Sequence, residues 1–370
     1  MKKIVEFVKK ETVLSVAVLL ALVSMVIVHP DKEYVAYVDY RTLALLFCLM
    51  AVMAGYRKSG VFGRLAETLL GKVSGSRPVA AILILLCFFT SMIITNDVAL
   101  ITFVPFTITV LRLANAQQFM VPVVVLQTVA ANLGSMLTPI GNPQNLYLYS
   151  QAGISLTAFF MLMLPYTVVS LLLLLLALFT VKKENLDVTL EQQHKPEGLA
   201  GRQIAVYTIL FVLCIGAVAR WLSWQLLLVI VIGGLLLVDR SLFKQIDYSL
   251  LLTFVGFFVF IGNMGRIEVV RAWIGQMVEG REILTSVAAS QIISNVPAAL
   301  LLSGFANQWE KLIIGTNLGG LGTLIASMAS LISFKYVAKE SPGRRKNYIV
   351  YFSVVNLIFL VILYALSRML

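Results

Sequence analysis

The chain has 370 residues, 59% of them hydrophobic and only 13% charged, with a mean hydropathy of +0.92, whereas a soluble protein is roughly 25% charged. So few charges cannot cover one large globule, and lipid must be the solvent for most of the chain. Disorder, coiled coil and a secreted disulfide scaffold are excluded, as is nucleic acid as a partner, because the 29 basic residues behind the net charge of +11 lie in short segments between apolar runs.

Charge-free runs of about 20 residues mark membrane-spanning helices. The first, 12–29, follows Lys2, Lys3, Lys9 and Lys10 without an evident cleavage site, and reads as a retained signal anchor. Next come 42–56, 78–96 and 98–111, then, after Arg112, the uncharged stretch 113–181, long enough for two spans meeting near Ser150 to Ser155. The hydrophilic stretch 182–202 is a linker between two hydrophobic halves, 1–181 and 203–370. The second half holds runs 203–219, 221–238, 248–265, 283–309, 312–334 and 347–367. Segments 57–77 and 266–282 mix charges with apolar residues, as interfacial helices do. Cys48, Cys87 and Cys214 are far apart and form no CxxC pair, which opposes a disulfide framework or a zinc site.

Segment 283–309 carries Ser294, Asn295 and Pro297 at its middle, and its arms are too short for two crossings. It is expected to be a re-entrant helical hairpin whose tip is buried in protein. Segment 78–111 follows the same plan, with Thr95, Asn96 and Asp97 at the bend and longer arms. With the N-terminus cytoplasmic, 21 of the 29 basic residues fall inside, as the positive-inside rule requires. Five spans separate the hairpins, so they enter from opposite faces.

Residues 132–140, NLGSMLTPI, and 317–325, NLGGLGTLI, agree at five of nine positions, and each follows a Thr/Ser-Asn tip. The fold expected is therefore an all-α polytopic membrane protein of two inverted-topology repeats. Each repeat has a re-entrant hairpin (about 78–111 and 283–309) and an interrupted helix (about 119–149 and 312–334), a plan typical of secondary transporters. Simple packing is the alternative for Gly315 and Gly319, which have GxxxG spacing.

Pro139, Pro143, Gly134 and Gly141 oppose a continuous helix over 132–145. A break exposes carbonyls at one half-helix end and N–H groups at the other. Asn132, Thr138, Asn142 and Asn145 add side-chain groups there, and Asn317, Gly319 and Thr323 are their counterparts in the second half. Asn96 and Asn295 lie beside the helix N-termini of the tips; each is a ligand for an oxyanion or ion, or a helix cap. Asp97 is the one acidic residue this topology places inside the membrane, and Arg112, about 22 Å along the helix, is too far to neutralise it. It is expected to take a proton or bind a cation, or to serve as a neutralised cap of the second hairpin arm.

TNDVALITFVPF (95–106), AANLGSMLTPIGNPQN (130–145), SNVPAALLL (294–302) and GTNLGGLGTLIASMASLI (315–332) resemble the ion transporter superfamily of arsenite-efflux permeases, citrate and dicarboxylate carriers and some sodium/proton antiporters. The arsenite permease type looks most similar. Asn317 stands where that type would have an acidic residue, and Thr95-Asn96-Asp97 replaces the Ser-Asn-Thr of dicarboxylate carriers. The resemblance implies elevator-type movement in a homodimer, with Asn96, Asn295 and their neighbours, including Ser294, lining the substrate and coupling-ion site. Sodium is a candidate near Asn96, Asn132, Asn295 and Asn317.

The expected function is secondary transport of a small anion or metalloid oxyanion coupled to H+ or Na+ across the bacterial inner membrane, with no cofactor. A sodium/proton antiporter using Asp97 is the alternative. A channel fits broken inverted repeats less well. A membrane enzyme is disfavoured, since His29 and His194 are the only histidines and no HExxH or GxSxG motif occurs. Direct ATP use lacks a GxxxxGK[ST] loop.

Overall fold

A computed structural model describes residues 11–186 and 201–370, and among them no strand occurs. The chain is an all-helical polytopic membrane protein. Its first half holds α1 (Thr12–Ile27), the single turn α2 (Tyr34–Tyr37), α3 (Tyr40–Lys58), α4 (Val61–Leu70), α5 (Ser76–Ile94), α6 (Asn96–Leu113), α7 (Met120–Ser135), α8 (Pro143–Ala152) and α9 (Leu156–Ala177). Its second half holds α10 (Gly201–Val218), α11 (Trp224–Val238), α12 (Tyr248–Gly265), α13 (Glu268–Val278), α14 (Glu282–Ile293), α15 (Asn295–Ser303), α16 (Trp309–Leu318), α17 (Met328–Glu340) and α18 (Arg345–Met369). Seven helices among the described residues are long and apolar enough to cross a membrane, or up to eight with the bent pair α3–α4 as one span. The N-terminal lysines, His194 and most of the linker lie outside the described residues.

Local chemistry sets the boundaries. Asp39 and Asp247 cap α3 and α12, accepting hydrogen bonds from the Thr42 and Leu250 amides at 2.9 Å. Both are followed by tyrosine, and both hold φ −80° with ψ near 85°. Asn142 caps α8 with Pro143 behind it, a position where proline loses no helical bond. An apolar stretch packs inside or meets lipid according to its neighbours. In the stretch that ends with α7, 89% of residues are buried, against 28% in those of α9, α10 and α18. Thus α7 lies at the centre, packed on α5, α6 and α17, and α1 pairs with α12 at the side.

Polar contacts sort the loops onto two faces. On one, Lys58 reaches Asp239 (2.5 Å) and Ser241 (2.8 Å), Arg112 pairs with Glu340, and Arg344 donates to the Gln117 carbonyl. On the other, Gln151 donates to Asp39 (2.9 Å) and Arg220 to the Gly153 carbonyl (3.1 Å). Arg266 there pairs with Asp31 at 2.8 Å, and its guanidinium holds the Asp31 carboxyl below the usual carboxylate range.

Helices α5 and α6 form a hairpin that returns to its own face. Glu184 joins its two ends: the Ser76 amide donates to the Glu184 carbonyl (2.9 Å), and Gln118 donates to the Glu184 carboxylate (2.9 Å). The tip meets the break after α7, and the ten residues of α8 carry the chain about 15 Å further. The tip therefore stops short of the far face although its arms have 19 and 18 residues. Helices α14 and α15, with 12 and 9 residues, span about 18 and 14 Å, and neither crosses a hydrocarbon core of about 30 Å.

Candidate functional site

Both hairpins turn through one residue in the same unusual conformation, Thr95 at φ 69°, ψ 149° and Ser294 at φ 74°, ψ 154°. Non-glycine residues there cost of order 1–3 kcal/mol, and such strain persists only where surrounding contacts over-determine it. Those contacts recur in both halves. The Asn96 amide donates to the Gly141 carbonyl at 3.0 Å, and the Asn295 amide to the Ala326 carbonyl at 2.9 Å. Thr138 Oγ1 donates to the Met92 carbonyl (2.5 Å) and Thr323 Oγ1 to that of Gln291 (3.2 Å). A Cβ on Gly134 would lie 2.7 Å from Ser91 Oγ, and one on Gly319 2.4 Å from Ser290 Oγ. The matched pairs keep constant spacing along the chain: each tip is seated against the break of its own half in the same register.

The two breaks then cross-link reciprocally. Asn142, at the start of α8, donates to Asn317 Oδ1 (3.2 Å), and Ser327, its register mate before α17, donates to Asn132 Oδ1 (3.0 Å). Asn96 Nδ2 also donates to Asn132 Oδ1 (3.1 Å), while its own Oδ1 accepts from the Asp97 amide (2.9 Å). One pair departs from the symmetry. Asn317 Nδ2 donates to Asn145 Oδ1 at 2.6 Å, but the corresponding atoms, Asn132 Nδ2 and Ser330 Oγ, are buried without partners. Serine is too short to close that bond. Asp97 Oδ1 is likewise buried and unpartnered, and Val296 stands at its place in the second tip.

Two cavities flank this core. One of about 120 Å³ is lined by Thr95, Asp97 and Val98 of the first tip, Asn142, and the distant Arg57, Gln245 and Asp247. Another of about 270 Å³ is lined by Val296 and Pro297 of the second tip, Met328, Leu331 and Lys335 of α17, and again Asp247. Asp247 and Leu250 belong to both walls.

Of the residues singled out in the sequence, Thr95, Asp97 and Asn142 line the first cavity. Asn96, Asn132, Asn295 and Asn317 are buried and line neither cavity. Asn96, Asn132 and Asn317 spend their side-chain oxygens on the tip and break contacts above. Asn145 donates to the carbonyls of Ser135, Met136 and Thr138, satisfying groups that the break exposes. Gly315 and Gly319 press against Ile283, Ser286 and Ser290 of α14, which is the packing reading of their spacing; Gly134 and Gly141 meet backbone of Phe88 and Ser135 in the same way. Sequence reasoning missed Arg57, Gln245, Asp247, Ser327 and Ser330. The repeated Asp-Tyr at 39–40 and 247–248 was the available signal for Asp247.

Comparison with known proteins finds transporters and membrane proteins. A family model described as Citrate transporter matches residues 4–310. An uncharacterised transporter of Methanocaldococcus jannaschii is 30% identical over 96% of both chains, and the inner membrane protein YbiR of Escherichia coli K12 is 30% identical over 82% of both. The silicon efflux transporter LSI3 of Oryza sativa subsp. japonica is 31% identical over 46% of this chain and 35% of its own.

Proposed function

The chain belongs to the citrate transporter family and is a membrane transporter, and on that premise we propose that it is a secondary active carrier of a small anion or metalloid oxyanion coupled to H+ or Na+. The observation that carries the reading is the reciprocal crossing of two broken helices, Asn142 to Asn317 and Ser327 to Asn132, with a hairpin tip seated on each break. Discontinuous helices of this kind place half-helix ends and freed backbone groups around a midplane site in alternating-access carriers. The two halves are taken to be inverted repeats that move by an elevator-type shift of the hairpins and broken helices.

Asp97 is the proposed coupling group. Its carboxylate lines the cavity, one oxygen has no hydrogen-bond partner, and Arg112 is engaged elsewhere by Glu340. An unpaired carboxylate in a desolvated place takes a proton or a cation. Asn132 Nδ2 is a donor left open in the same network; it lines neither cavity in this state, and a shift of the broken helices that exposed it would offer it to a substrate oxygen, since an unmade buried bond costs about 1–3 kcal/mol. By the positive-inside rule the face bearing Lys58, Arg112 and Arg344 is cytoplasmic, as is the N-terminus, in a bacterial inner membrane.

The family's name and the silicon-efflux relative put carboxylates and weak oxyacids first in a ligand screen. Purified protein is expected to gain thermal stability with a true substrate, because a ligand stabilises the state it binds, and in proteoliposomes trans substrate should accelerate uptake by counterflow. Asp97→Asn should abolish or uncouple ion-driven flux with the folded amount nearly unchanged. Unaltered ion dependence in that variant refutes the coupling role. Na+/H+ exchange lost in Asp97→Asn, with no anion transported by the native protein, would instead favour an antiporter, the reading that the open Asp97 oxygen also supports.

A further inference from the structure

The two halves differ most where their broken helices meet the helices outside the core. In the first half α3 packs on α8. Asp39, the cap of α3, accepts a hydrogen bond from Gln151 near the end of α8 (2.9 Å). Arg220 holds the same helix end by the Gly153 carbonyl (3.1 Å) and stacks over Tyr149 (5.6 Å). In the second half the same parts exist. Asp247 caps α12 in the backbone geometry of Asp39, and the register that pairs Asn132 with Asn317 and Asn142 with Ser327 pairs Gln151 with Tyr336. Here no hydrogen bond corresponding to Asp39–Gln151 is formed among the described residues: a cavity of about 270 Å³ lies between the start of α12 and the α17 face bearing Leu331 and Lys335, with Asp247 on its wall. Instead of seating on α17, α12 packs against the hairpin arm α15.

We propose that Asp39–Gln151 and Asp247–Tyr336 are the two latches of one gate, closed alternately, and that this structure has the Asp39 face shut and the Asp247 face open. The inference rests on the carrier reading. Two like halves in unlike states are what a two-position device requires: a rigid shift of the broken helices that separates one latch brings the other together. Gln151 supplies an amide donor to Asp39, and Tyr336 supplies a phenolic donor to Asp247, with the Lys335 ammonium beside it. The helix amides of Thr42 and Leu250 bond only the Oδ1 atoms; Asp39 Oδ2 accepts from Thr42 Oγ1 (2.5 Å) and from Gln151 (2.9 Å) together, and Leu250, the register mate of Thr42, has no hydroxyl to offer Asp247 Oδ2.

The test uses the full chain in proteoliposomes with Cys48, Cys87 and Cys214, all buried, replaced by alanine. One variant carries Asp39→Cys with Gln151→Cys, a second carries Asp247→Cys with Tyr336→Cys, and a third carries all four. A short bifunctional methanethiosulfonate should link either pair and stop counterflow, with recovery on reduction. In the four-cysteine protein, linking 39 to 151 should prevent linking 247 to 336. Both links in one molecule, no 247–336 link at all, or full counterflow with 39 tied to 151 would each overturn the proposal. Because cysteine at 39 removes a helix cap, Gln151→Leu is the second variant, leaving the bonds from Asp39 to Thr42 intact. With Leu45→Cys as reporter, the register mate of Thr253 on the open cavity wall, Gln151→Leu should speed labelling by an impermeant thiol reagent several-fold; an unchanged rate overturns the latch. Mutually exclusive links without counterflow of any solute would sink the carrier reading and leave the gate, whereas counterflow with independent links does the reverse.

Discussion

A methyl group on Gly134 would sit 2.0 Å from the Phe88 carbonyl oxygen of α5, a distance that only movement of backbone can relieve. Gly134→Ala is therefore expected to force α7 away from the first hairpin and to destabilise by roughly 1–3 kcal/mol, as overpacking does. The measurement is the thermal midpoint in detergent, with Gly216→Ala, a helical position where nothing lies within 4 Å, as the control, whose midpoint should hold or rise slightly because alanine is the better helix former. Thr95 and Ser294 show the same economy of position. Their positive φ values are strained for residues with a Cβ, yet each is fixed by the next residue's amide bonding to a carbonyl of the break. Which residues stand at the tips was legible in the sequence, because Thr/Ser-Asn interrupts an apolar run. What their amides do was not, since Asn96 and Asn295 have the chemistry of ligands and of struts alike, and only the partners Asn132, Gly141 and Ala326 distinguish the two.

At the scale of elements, α8 begins where a polar residue, a proline and a broken predecessor coincide. Asn142 accepts from the Asn145 amide at 2.9 Å and donates to Asn317 at 3.2 Å, so it caps its helix and ties the two halves. Asn142→Ala loses both functions and is expected to cost about 1–2 kcal/mol or somewhat more, the cap alone being worth about 1. Asn142→Asp retains the cap oxygen but loses the donor, so its thermal midpoint should fall between native and alanine. Equal midpoints for Asn142→Asp and the native protein would show that the bond to Asn317 contributes nothing. Helix breaks were readable from Gly134, Pro139, Gly141 and Pro143, whose effects on backbone are local. The second break, without proline, is no less complete. Gln291 stabilises it from the neighbouring arm, donating to the Gly319 and Leu321 carbonyls at 3.1 and 3.0 Å and accepting from the Thr323 amide at 2.9 Å, a contact across the fold that no window of sequence displays.

At the scale of the whole molecule, loop contacts divide the chain into two faces, and the positive-inside rule predicts which of them is cytoplasmic. In a chain lacking native cysteines, Lys32→Cys is expected to react with an impermeant maleimide added outside intact cells, and Lys72→Cys only after permeabilisation. Both side chains are exposed, so reactivity reports sidedness rather than burial; the opposite pattern would invert the topology and, with it, the side to which the cavities open.

Sequence alone determined the solvent of this chain, the positions of its apolar helices, the two interrupted segments and the short residue runs that repeat between the halves. All of these follow from hydropathy and from backbone preferences that act over a few residues. Tertiary structure decided which of the polar residues face space and which face each other. Asp247 meets the cavity of Asp97 although 150 residues separate them, and Asn132 lacks the partner that Asn317 has because residue 330 is a serine where residue 145 is an asparagine. Such facts depend on which helix lies beside which, and the lipid-driven burial that makes the helices plain to read is blind to that choice.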